Sequence, residues 1–258
     1  VISLTRIGTL ATNTLREAIR NKVLYTLLFF AVLMIASGVL LATLSYVESA
    51  RILQDVGMAA IRLFGVAIAI FVGVGLIHKE VERRTVYTIL SKPLSRAEFL
   101  LGKYVGLVLT IWLQVAVMVA AFALVSLLTG AALNAGHAAA FLLTGVEMAL
   151  IVAVATFFSA FTTPLLSSFF TAGLWIVGHL TRELRDMGAS TDLEVLRRAT
   201  AVLHRVLPDL ESFNLTLQAT HGLPVGAADV WLPTVYALGY VGIILLAAVT
   251  VFERRDFR

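Results

Sequence analysis

No cysteine occurs anywhere in the 258 residues, which excludes a disulfide framework, a zinc–thiolate site and a thiol nucleophile. Charge is the second scarcity. Only 14% of the residues are Asp, Glu, Lys or Arg, against about 25% in a soluble domain. Apolar stretches near the roughly 20 residues that a helix needs to cross a bilayer recur along the whole length. They leave no room for a sizeable soluble domain, so one integral membrane domain over residues 1–258 is expected. Repeats at solenoid periods and low-complexity tails are also missing. A pI near 9.6 would fit nucleic acid, but the basic residues stand beside apolar runs rather than in a patch with interleaved aromatics. The charge is therefore read as topological, with membrane lipid and no nucleic acid as the expected surroundings.

What is present is an all-α pattern. Val1 to Lys22 carries Ile7, Leu10, Ala11, Leu15, Ala18 and Ile19 at helical spacing, with Arg6, Arg16, Arg20 and Lys22 available to anionic headgroups. This predicts an amphipathic helix lying on the membrane. The first apolar run is too long for a signal-peptide core and lacks a small-residue cleavage site, so it is expected to stay as a helix. Six spans are expected: Tyr25 to Leu44, Gly57 to Ile77 with Arg62 snorkelling to the interface, Tyr104 to Leu128, Ala138 to Ser159, Leu165 to Gly178, and Trp231 to Phe252. Thr129, Gly130, Asn134 and Gly136 mark a turn between the third and fourth. Thr181 to Asp229 is a polar insert whose Leu193, Leu196, Ala199, Val202, Leu203 and Val206 keep a helical period until Pro208.

Thirteen of the twenty basic residues lie before the first span, between the second and third, or after the sixth. Basic loops favour the cytoplasm, so both termini and the segment between spans two and three are expected there, with the insert outside. That segment, "HKEVERRTVYTILSKPLSRAEFLLGKYVG" from His78 to Gly106, is long for a connector. Glu80 precedes Arg83 and Arg84 at helical spacing, predicting a short helix across the membrane exit. Pro93 stops it, Ser95 caps the next helix with Glu98 three residues later, and Gly102 with Gly106 allows close approach of a neighbour.

This segment, with the closing "FERRDF" from Phe252 to Phe257, resembles the type-2 permeases of ATP-binding-cassette transporters, in which an acidic helix precedes a turn of the form KPxSRxxFLLGK. The resemblance implies that residues 78–103 form a cytoplasmic coupling segment docking in a groove of a separate ATPase. Its acidic helix corresponds to Glu80, Glu82, Arg83, Arg84 and Thr85, and its turn to Lys92, Pro93, Ser95, Arg96, Gly102 and Lys103. It further implies an exporter-type permease in a bacterial or archaeal plasma (inner) membrane, working as a homodimer, with no cofactor of its own and with ATP and Mg bound by the ATPase. "LPDLESFNL", Leu207 to Leu215, is similar to the branch associated with copper-enzyme maturation, including nitrous oxide reductase assembly. From that likeness comes an alternative, relay of ATPase motion to a periplasmic partner held by the insert.

Other chemistry finds less support. Gly102-Lys103 is followed by Tyr104 where a phosphate loop needs Ser or Thr, and Ala97 stands where its leading glycine belongs, so the chain is expected to have no ATPase activity and no catalytic residue of its own. His137, His179, His204 and His221 form no H-E-x-x-H pattern, and His179 with Glu183 is one i, i+4 pair at a membrane boundary. No metal site is expected, and an intramembrane enzyme is the weakest reading. Glu147 is the one carboxylate inside a span. Intramembrane charges face a bundle interior or water cavity, so Glu147 is a candidate for a substrate route, for pairing with a neighbouring subunit, or for a protonated hydrogen bond between helices.

Overall fold

Helix boundaries fall where side chains take over the N–H groups that a first turn leaves without partners. The computed structural model describes residues 3–44, 48–82, 95–189 and 194–254. Its elements are α1 (Leu4–Ile19), α2 (Lys22–Ala42), α3 (Ser49–Glu82), α4 (Arg96–Thr129), α5 (Ala135–Ser159), α6 (Pro164–His179), α7 (Thr181–Ala189), α8 (Glu194–Val206), a 3-10 turn (Leu210–Phe213), α9 (Thr216–Thr220) and α10 (Ala227–Arg254). Asn21 caps α2 by accepting from Val23 N, Asn134 and His137 form a reciprocal box at α5, and Pro164 occupies the first turn of α6, where a missing N–H costs nothing.

Among the described residues, α2, α3, α4, α5 and α10 are each long and apolar enough to cross a bilayer. The sixth expected span is different. The 16 residues of α6 reach only about 24 Å against about 30 Å of hydrocarbon, and the sixth crossing exists only as α6 with the start of α7, bent by 58°. Conversely, α3 and α4 have 34 residues each, about 51 Å, and so project beyond the hydrocarbon. The helix that carries the second span begins at Ser49, ahead of Gly57, and Glu80 with Glu82 lies at its C-terminal end, while the rest of the expected exit helix lies outside the described residues.

The bundle is centred on α3 and α5, the two spans with the largest buried share. α2 packs on α3, while α4, α6 and α10 pack around α5. Met58, Ile61, Ile68, Leu107, Ile111, Phe122, Leu143, Met148 and Ile151 interlock as one core. α1, the expected amphipathic helix, packs on α4 and buries Ala11, Thr14 and Ala18 against the bundle. The cause is the glycine pair. A Cβ on Gly102 would meet Leu10 Cβ at 2.6 Å, and one on Gly106 would meet Thr14 Cβ at 2.5 Å and Ala11 O at 2.6 Å. Contacts advance in the same sense on both helices, Leu10 with Gly102 and then Thr14 with Gly106, so α1 runs in the direction of α4 along its opening turns.

At the other end the insert begins as an α7–α8 pair and then folds back into the bundle. Leu210, Phe213, Leu215 and Ala219 are buried. Leu210 lies against Gly178 at the end of α6. Asn134 Nδ2 donates to Ala219 O at 2.9 Å, Tyr236 Oη accepts from Asp209 N at 3.0 Å, and Tyr240 Oη donates to Val206 O at 3.2 Å. The returning chain thus fills the depth that the short α6 leaves open.

Candidate functional site

Two clusters combine buried charge with long-range contacts, one at each of the places the sequence singles out. The first is the base of the elbow. Arg83, Arg84, Thr85, Lys92 and Pro93 lie outside the described residues, whereas Glu80 and Glu82 end α3 and Ser95, Arg96, Gly102 and Lys103 open α4. Ser95 Oγ accepts from Glu98 N at 3.1 Å, and Glu98 Oε2 accepts from Ser95 N at 2.9 Å, a complete capping box. Glu98 also reaches the neighbouring helix: its Oε1 accepts from Ser3 N at 2.7 Å, and Arg6 Nη1 stands 3.7 Å from Oε2. One carboxylate therefore starts α4 and holds the beginning of α1.

Arg96 ties in a third helix. Its Nη1 donates to Phe252 O at 3.3 Å and to Glu253 O at 2.8 Å, carbonyls near the C-terminal end of α10. Beneath it Phe99 stacks on Phe252 with ring centroids 6.2 Å apart. Together with Leu100, Ala160 and Ala248 they form a small apolar cluster distinct from the main core. Lys103 is buried, with Nζ 3.5 Å from Glu17 Oε2 on α1. Arg96 and Lys103 thus engage α10 and α1 within the chain. The contribution of Arg6, Glu17 and the α10 carbonyls carries no local sequence signal, because each partner lies far along the chain.

The second cluster surrounds Glu147 at the middle of α5, which is fully buried. Its Oε1 accepts from Trp175 Nε1 at 2.9 Å, and Arg62 Nη2 lies 3.3 Å from its Oε2. His179 Nε2 is 3.4 Å from Oε1 and 2.6 Å from Arg62 Nη2. The other imidazole nitrogen, Nδ1, lies 3.0 Å from Trp175 O. A carbonyl can only accept, so Nδ1 carries the proton and Nε2 accepts from the guanidinium. Three helices, α3, α5 and α6, meet in this group.

Arg62 therefore does not snorkel to the interface. Its place well inside α3, opposite a fully buried carboxylate, makes the ion pair the better outcome, since either charge left alone would carry the full desolvation penalty. His179 likewise turns to Arg62 rather than acting only as the i, i+4 neighbour of Glu183. Nε of Arg62 is buried and has no partner among the described residues. Just above, Arg182 Nε and Nη2 donate to Asp209 Oδ2 at 3.0 and 2.9 Å, so the α6–α7 bend has an ion pair on either side. The model of the ABC-2 family transporter proteins matches residues 8–257. No curated protein matches the chain.

Proposed function

The chain belongs to the ABC-2 family of transporter proteins, and from that premise we propose that it is the permease subunit of an exporter driven by a separate ATPase. In this reading the elbow end lies in the cytoplasm with both termini, the ATPase holds ATP and Mg, and two permease chains work as a pair. The permease itself makes and breaks no bonds.

The observation that carries this is the joint at the elbow base. A docking elbow must pass a displacement to the spans without absorbing it. The opening of α4 is fastened to α1 through Glu98 and Lys103 and to α10 through Arg96 and Phe99. A push on the elbow is thereby given to three helices together, as a rigid-body transition requires. In this reading the residues that meet the ATPase are those the family resemblance implies, Glu80, Glu82, Arg83, Arg84, Thr85, Lys92, Pro93, Ser95 and Arg96, followed in the chain by Gly102 and Lys103. The insert supports export over relay to an external partner, because Leu210, Phe213, Leu215 and Ala219 are packed into the bundle as part of its own wall.

Charge reversal at Glu82 together with Arg83 tests the coupling. The variant is expected to lose the co-purifying ATPase in a pull-down while eluting as the same membrane-embedded species. Full ATPase recovery with that variant would contradict the docking role.

A further inference from the structure

If the chain is a permease, the Arg62 cluster bears on what it handles. Glu147 has donors on both oxygens, Trp175 Nε1 on Oε1 and Arg62 Nη2 on Oε2. Arg62 and His179 stand in front of it, with side chains 15% and 17% exposed while that of Glu147 is 0% exposed. A molecule reaching the cluster meets a guanidinium and an imidazole before it meets a carboxylate. That order disfavours a cation.

The guanidinium is also the under-supplied member. Nη2 serves both Glu147 and His179, while Nε is buried with no partner among the described residues. An N–H without an acceptor is costly away from water, and the planar fork of arginine matches the paired oxygens of a carboxylate or phosphate. Ile176, three residues before His179 on the same helix, is exposed and offers apolar surface on that side.

Resting on the permease reading, we infer that Arg62 is the recognition point for an acidic amphiphile, a molecule carrying a carboxylate or phosphate on an apolar body. Its anion displaces Glu147 Oε2 from Nη2 and supplies the acceptor that Nε lacks. Glu147 keeps Trp175 Nε1 and has His179 Nε2 as its next neighbour, 3.4 Å from Oε1. Glu147 thus competes with the ligand for one guanidinium, neutralising the empty site and easing release.

The probe is dodecyl phosphate, titrated into the purified full chain in nanodiscs of phosphatidylcholine without ATPase or nucleotide. The readout is Trp175 fluorescence with Trp112 and Trp231 replaced by phenylalanine. A saturable change is expected. Arg62→Gln combined with Glu147→Gln, which removes both charges at once and leaves no ion unpaired, should weaken binding about tenfold or more, as loss of a charge-assisted contact does. Glu147→Gln alone removes the competitor and should tighten binding about threefold or more. A merely structural ion pair would not give opposite signs. No saturable change, unaltered binding by the double variant, or weaker binding by Glu147→Gln would overturn the inference, and if Glu147→Gln does not assemble, the double variant still decides. Replacing part of the phosphatidylcholine by phosphatidylglycerol separates the sources of the anion: a curve moved to higher probe concentration supports a lipid headgroup as the ligand, and an unmoved curve supports a transported molecule. Since no ATPase is present, failure here leaves the elbow's docking role to its own pull-down.

Discussion

Glu98 and Glu147 are both carboxylates withdrawn from solvent, 1% and 0% exposed, and the chain satisfies them in opposite ways. Glu98 draws on backbone N–H groups, those of Ser95 in its own helix start and Ser3 at the start of α1. Backbone donors are fixed as soon as the helices form, so this joint exists whenever α1 and α4 are together. Glu147 draws on side chains, Trp175 of α6 and Arg62 of α3, the latter also bonded to His179 of α6. Those donors converge only while three spans keep one register. The elbow base is therefore a joint built on backbone donors, and the cluster around Glu147 is a lock built on side chains that need three spans in register.

The largest effect expected from breaking this contrast is at the lock. Arg62→Gln leaves Glu147 charged and buried with its strongest partner gone, and should destabilise the bundle by about 3–5 kcal/mol. Adding Glu147→Gln removes the stranded charge and should recover most of the loss. Unfolding in mixed micelles of the two single variants and the double measures the coupling directly. Additive losses would mean that the pair is not the lock described.

A smaller effect is expected at the joint. Gly106→Ala places a methyl 2.6 Å from Ala11 O, and a backbone carbonyl cannot swing aside as a side chain can. The helices must separate, at about 1–3 kcal/mol, and protease cleavage within α1 should become faster while the spans stay protected. Unchanged cleavage would show that α1 is held by the membrane surface rather than by α4.

The same contrast separates what could be read in the sequence from what could not. Ser95 and Glu98 stand three residues apart, so their capping box is a local pattern, and the Gly102 to Gly106 spacing marks a close approach without saying to which helix. Arg62 and Glu147 are 85 residues apart, and nothing in either neighbourhood names the other. The apolar run alone puts Arg62 near the edge of a span that begins near Gly57. Arg51 pairs with Glu48 in the open, and Gln54 donates to Ala132 O, so the outer turns of α3 are satisfied outside the hydrocarbon and the helix simply begins earlier. The shortness of α6 was visible, whereas the return of residues 208–215 to fill its depth was not. That return depends on Leu210 meeting Gly178 and Asp209 meeting Arg182 and Tyr236, contacts that only the folded chain creates.

The smallest expected effect tests whether the joint rests on Glu98 or on its cap. In Ser95→Ala the Glu98 amide loses its acceptor, which typically costs about 1 kcal/mol at a helix start. Glu98 keeps both of its backbone donors, Ser95 N and Ser3 N, because neither needs the serine hydroxyl. Amide exchange should then rise at the first turn of α4 and stay slow at Ser3, since the carboxylate still spans the two helices. Glu98→Ala removes the span itself and should quicken exchange at both places. If Ser95→Ala already releases Ser3, the cap positions the carboxylate and the joint is a consequence of the helix start. If Ser3 stays protected, Glu98 is the fastening and the cap only begins the helix.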